Sequence, residues 1–216
     1  GRLGPCSRFW FSRVRVPLCQ PCLITCSQAS GHHGPALAPG LLGRKNRPMF
    51  DGFQTRSVQG IHLRIGGEGP PLLLLHGYPQ THEMWHRVAP GLAAAGRTVV
   101  CPDLRGYGQS HKPPAGDGYI AYAKRTMAAE LVSVMGELGF DRFALAGHDR
   151  GGRVAYRMTL DHPDTITRLA TLDIVPTIDT WEALRGTGTL GVFHWPFLAQ
   201  PAPLPETLIA ADPGYF

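Results

Sequence analysis

Asp149 lies in the run Leu145-Ala146-Gly147-His148-Asp149-Arg150-Gly151-Gly152, between a stretch that reads as a strand and one that reads as a helix. The form is small-x-nucleophile-x-small. A sharp strand-to-helix turn crowds the backbone, so glycines flank the residue left exposed at its tip. A carboxylate in that position can displace a leaving group from saturated carbon and form an ester, which water then splits at the carboxyl carbon. The oxyanion of that second step needs N–H donors. The backbone of Arg150 offers one, and Tyr78 in the loop His76-Gly77-Tyr78-Pro79 offers another. The plain alternative is an aspartate that only caps the following helix. The flanking glycines and the His76-Gly77 loop favour the nucleophile elbow.

Arg150 and Arg153 stand in the first turn of that helix, where cations oppose the helix dipole and propensity alone would not put them. Two guanidiniums beside a carboxylate can grip a substrate carboxylate and offset its repulsion from Asp149. Arg157 continues the stripe and is read as a solvated face. Asp173, at the end of the next strand, could orient a histidine in the chain order nucleophile, acid, histidine. The one histidine after it, His194, sits beside Trp195 in a stretch read as lid and is not assigned as the base.

The elements that must hold these residues follow from periodicity. Thr55 to Gln59 and Ile61 to Ile65 read as a hairpin, and Pro71 to His76 as a strand buried on both faces. Thr81 to Ala94 reads as one helix with Thr81 as its cap, and Arg97 to Leu104 as a strand. Ala121 to Leu138 is an amphipathic helix, Phe143 to His148 a strand, Arg150 to Leu160 a helix and Ile166 to Val175 a strand. This alternation predicts an α/β architecture with a doubly wound, mostly parallel sheet. From Pro176 the prolines at 196, 201, 203, 205 and 213 break the rhythm, so residues 176–216 read as the start of a lid, with a short helix over Thr180 to Arg185. A closed α/β layer needs further strands, and the chain is read as C-terminally cut short.

The 216 residues carry a formal charge of +5, but seven basic residues and no acidic one fall in residues 1–48. Residues 49–216 then hold 14 basic against 16 acidic side chains, a net of −2, which gives no footprint for nucleic acid. No apolar run approaches a membrane span. Residues 1–48 are read as a disordered or non-native tail. Their Cys19, Cys22, Cys26 and His32-His33 match no standard zinc spacing, and Pro17 and Pro21 argue against a transit helix. Cys101 is the one thiol beyond the tail, which predicts a reducing, cytoplasmic location.

His76-Gly77-Tyr78-Pro79-Gln80, Asp103-Leu104-Arg105-Gly106-Tyr107-Gly108-Gln109-Ser110 and Gly147-His148-Asp149-Arg150-Gly151-Gly152-Arg153 together resemble the α/β-hydrolase fold. More narrowly, Asp-Arg-x-x-Arg at the elbow resembles the haloacetate (fluoroacetate) dehalogenases. The resemblance covers Met49 to Phe216. It implies Asp149 as nucleophile, Arg150 and Arg153 as the carboxylate-binding pair, Asp173 as triad acid, and His194 with Trp195 as halide donors. The family's catalytic histidine and a lid tyrosine would lie beyond Phe216. The resemblance implies no metal or organic cofactor and a small substrate with a carboxylate. A homodimer is left open, and the turn from Asp103 to Ser110 is read as structural. Two other readings stand beside it. An epoxide hydrolase would use the same aspartyl ester but resembles this chain with tryptophan where Arg150 stands. A non-catalytic hydrolase fragment or binding protein would keep the pocket without the base.

Overall fold

A computed structural model describes residues 49–215. The expectations for residues 1–48 lie outside the described residues. Strands β1 (Gln54–Val58), β2 (Ile61–Gly66), β3 (Pro71–Leu75), β4 (Thr98–Pro102), β5 (Phe143–His148) and β6 (Ile166–Leu172) form one sheet in the order β1-β2-β4-β3-β5-β6. β1 and β2 form the antiparallel hairpin, and β2 pairs antiparallel with β4. From there onward β4, β3, β5 and β6 run parallel.

Alternation along the central strands builds a core on each face of the sheet. Leu73 and Leu75 of β3, Val100 of β4 and Leu145 of β5 face α2 (Lys124–Glu137) and α3 (Asp149–Asp161), against Leu131, Met135, Val154 and Met158. Leu74, Val99 and Cys101 point the other way, toward Trp85 and the short α1 (Ala89–Ala94). Helices on both faces of a mostly parallel sheet are the doubly wound arrangement that the alternation predicts.

Two elements differ from the sequence reading. Thr81 to Ala94 is not one helix. Thr81 caps a 3-10 turn over His82–Trp85, accepting from the Glu83 N–H at 3.3 Å, and α1 begins only at Ala89 with Pro90 in its first turn. Proline has no N–H to continue a preceding helix but suits a new first turn, so the chain restarts there. After β6 the chain forms α4 (Thr177–Ala183), a 3-10 turn over Gly186–Val192, α5 (His194–Leu198) and α6 (Leu204–Ala211). The prolines therefore open short helices rather than preventing them: Pro205 sits in the first turn of α6. No helix among the described residues is long and apolar enough to cross a membrane.

The turn between β4 and α2 is tied to the rest through Asp103, whose side chain is closed off from solvent. Its Oδ1 accepts from the His82 backbone N–H at 2.8 Å and lies 2.7 Å from His82 Nδ1, and its Oδ2 accepts from the Gln109 N–H at 2.9 Å. Burial alone would raise its pKa; the His82 and Gln109 hydrogen bonds overcome that and bring it down to about 2. Because the folded value lies below the ordinary 3.8, the stabilisation is present above that pH and is lost as pH falls toward about 2. Asp103→Asn should cost about 2–4 kcal/mol at neutral pH, since an amide replaces one of two acceptor oxygens with a donor. In urea denaturation the gap between parent and variant should narrow on acidification from about pH 4 to about pH 2. A gap that stays constant would mean that the charge contributes nothing.

Candidate active site

β5 ends at His148 and α3 begins at Asp149, with no residue between them. Asp149 takes φ +46°, the left-handed region that short polar side chains tolerate better than others. The elbow is tight enough to dictate its glycines. A Cβ on Gly147 would lie 2.5 Å from the Gly151 carbonyl oxygen, and one on Gly151 would lie 2.3 Å from the His76 carbonyl oxygen. The start of α3 therefore rests directly on the end of β3, and this close approach puts Asp149 beside the loop that follows β3. There the Tyr78 N–H donates to Asp149 Oδ2 at 2.9 Å. Gln80 braces the same loop: its Oε1 accepts from the Gly77 N–H at 3.3 Å and lies 3.1 Å from His148 Nδ1.

The two arginines leave the elbow in different directions. The Arg150 guanidinium carbon sits 4.8 Å from the centroid of the Tyr78 ring. Arg153 is buried, with 7% of its surface exposed, and its guanidinium carbon lies 4.4 Å from the Trp195 ring centroid. It donates to Thr177 Oγ1 at 2.9 Å, to the Val175 carbonyl at 3.3 Å and to Thr180 Oγ1 at 3.4 Å. Its Nε is buried and has no hydrogen-bond partner among the described residues. A buried cation with an unused donor is costly unless an anion meets it. Beside it opens a cavity of about 260 Å³ lined by Lys124, Arg150, Arg153, Thr177, Trp181 and Trp195. The arrangement can therefore present a carboxylate and a grip for a small anion near one another.

The other residues singled out in the sequence are placed unevenly. Asp173 follows β6 with φ +56°, and its side chain is 89% exposed, its Oδ2 3.7 Å from His148 Nε2. Trp195 lines the cavity, whereas His194 stacks on the Tyr78 ring at 6.4 Å between centroids. The stripe residue Arg157 is used structurally, sharing Asp161 with Arg125. Lys124, Thr177, Thr180 and Trp181 were not singled out in the sequence. Lys124 alone had a local signal, a cation in the first turn of a helix, the same signal that marks Arg150. Among the described residues, buried His62, His82 and Asp103 also bring ligand-type atoms within 4.8 Å of one another. Both Asp103 oxygens are occupied by the hydrogen bonds described above, whereas His62 Nε2 is buried without a hydrogen-bond partner among the described residues.

Sequence and fold are both similar to those of known proteins. The family described as "alpha/beta hydrolase fold" matches residues 70–195. A fluoroacetate dehalogenase from Burkholderia sp. is 51% identical over 172 residues, covering 78% of this chain and 56% of that protein. A soluble epoxide hydrolase from Corynebacterium sp. is 43% identical over 131 residues, covering 61% of this chain and 42% of that protein. Among solved structures, one assigned as an alpha/beta hydrolase from Nostoc sp. PCC 7120 superposes with a TM-score of 0.75 at 50% identity, covering 77% of this chain and 58% of that one. The chain thus spans about half the length of the curated relatives it matches. With its sheet order, its elbow and this family match in agreement, the chain belongs to the alpha/beta hydrolase fold family.

Proposed function

We propose that this site displaces halide from a small 2-haloacid, haloacetate being the simplest, through an ester on Asp149. The observation that carries the reading is the pairing of an elbow carboxylate with a buried arginine whose Nε lacks a partner among the described residues. The similarity to the Burkholderia fluoroacetate dehalogenase supports it. In this reading Arg150 and Arg153 hold the substrate carboxylate, which presents the halogen-bearing carbon to Asp149. An Asp149 oxygen bonds to that carbon while the carbon–halogen bond breaks, its electron pair leaving with the halide. Tyr78 already donates to Oδ2, so Oδ1 is the free nucleophile and Oδ2 becomes the ester carbonyl oxygen. When water adds to the ester carbon, the oxyanion forms at Oδ2, where the Tyr78 and Arg150 backbone N–H groups stabilise it. Loss of the hydroxy acid regenerates Asp149.

His194 and Trp195 would solvate the departing halide from the lid, residues 176–216, and Asp173 would orient the histidine that activates water. We place that histidine in the part of the relatives that this chain does not span. A carboxylate substrate is the one partner the reading requires. A cytoplasmic location goes with it, since Cys101 is a buried, unpaired thiol whose pKa burial pushes up.

Incubation of the protein with bromoacetate should leave a carboxymethyl ester on Asp149, seen by intact-mass spectrometry and peptide mapping, and absent from Asp149→Asn. Labelling by a neutral epoxide with none by haloacids would replace this reading with epoxide hydrolysis, the activity named for the Corynebacterium relative. Arg153→Met should raise the bromoacetate concentration for half-maximal labelling about ten-fold or more, through loss of charge-assisted hydrogen bonds. An unchanged concentration dependence would remove Arg153 from the substrate grip.

A further inference from the structure

Lys124 belongs neither to the elbow nor to any of the sequence motifs, yet it lines the same cavity as Arg150 and Arg153. It is the first residue of α2, as Arg150 is the second of α3. Each placement opposes a helix dipole, and local preferences broken at one place by two helices point to a shared use. The start of α2 is held firmly. Arg105 donates to the Ala121 carbonyl at 2.8 Å and forms a two-pronged ion pair with Glu130, while Thr126 Oγ1 donates to the Ile120 carbonyl at 2.8 Å. Lys124 is therefore not a loose surface side chain that happens to reach inward.

The charges acting on Lys124 among the described residues are Arg150 and Arg153 from α3 and Asp149 from the elbow. The side chains that α4 and α5 present to the cavity, Thr177, Trp181, Trp195, Leu198 and Ala199, do not titrate. Three cations thus face one carboxylate. We propose that Lys124 is a third anion-binding residue of this cavity, holding a monocarboxylate jointly with Arg150 and Arg153 and selecting acids over their neutral analogues. The proposal rests on the haloacid reading of the site and adds a specificity residue to it. Charge conservation fits the count. Ester formation removes the charge of Asp149 and creates that of the halide, so three cations face two anions before and after the step.

A consequence follows for pH. Burial, and then the two arginines, lower the Lys124 pKa to about 8 against the opposing pull of Asp149. The ammonium form binds the anion, so affinity should fall as pH rises through that value.

The test uses acetate, an unreactive monocarboxylate, with tryptophan fluorescence as the readout because Trp181 and Trp195 line the cavity. Acetamide is the neutral control. The parent should bind acetate and not acetamide, and should lose affinity between about pH 7 and pH 9, bracketing the Lys124 pKa. Lys124→Met should bind acetate about ten-fold more weakly at the lower pH, with a flat profile. Lys124→Arg should bind at least as well as the parent and also lose the pH slope, because guanidinium stays charged throughout. Equal binding of acetate and acetamide by the parent, or a slope that persists in Lys124→Arg, would sink the proposal. If the methionine variant does not fold, the arginine profile decides. Absence of an Asp149 adduct with bromoacetate, alongside a Lys124-dependent acetate slope, would instead retire the haloacid reading and leave the anion site standing.

Discussion

Asp103 is sealed from water, yet its carboxylate stays ionised because three N–H groups from two separate segments converge on it. The same short stretch fixes the rest of the site by a chain of hydrogen bonds. Ser110 Oγ donates to the Asp103 carbonyl and accepts from the His62 N–H, closing the loop onto β2. The next residue, Leu104, donates its N–H to His76 Nε2 at 2.9 Å. That bond sets the histidine tautomer: Nε2 accepts, so Nδ1 carries the hydrogen and donates to the Gly77 carbonyl at 2.8 Å. Burial keeps this imidazole neutral by lowering its pKa. Gly77 precedes Tyr78, whose N–H meets Asp149. The N–H that meets Asp149 is thus positioned through a buried acid and a buried histidine remote from the cavity.

A second constraint is steric. The end of β3 and the start of α3 approach so closely that a single methyl group would collide with backbone. Together with the hydrogen bonds it leaves Asp149 one place to stand, in a backbone conformation that few residues adopt. The Asp149 carboxylate is held by the main chain, whereas the long arginine side chains take their support from other residues.

The elbow was legible in the sequence because its signal is local: glycines at fixed spacing, a strand before them and a helix after. The strands were legible because burial on two faces leaves continuous apolar runs such as Leu72 to Leu75. The split of Thr81 to Ala94 was overlooked because the apolar pattern continues across Pro90, while the missing N–H does not show in a hydrophobic count. His194 and Trp195 are neighbours in sequence but face different surroundings, since each step along a helix turns about 100°. Lys124 was passed over for another reason. Its meaning lies in its position beside α3, which is a tertiary fact joining residues a full strand and helix apart. The role of the threonines of α4 was hidden in the same way.

Arg153 also ties its own helix to the segment after β6. Its guanidinium lies against Trp195 of α5 and donates to Thr177 and Thr180 of α4, so one side chain rooted in α3 fastens two later helices. A ligand that drew this guanidinium toward itself would compete with those fastenings, and occupancy of the cavity would then be mechanically coupled to the mobility of α4 and α5. Under that coupling, changes in α4 or α5 would alter how fast a ligand leaves while the main-chain hold on Asp149 stays as it is.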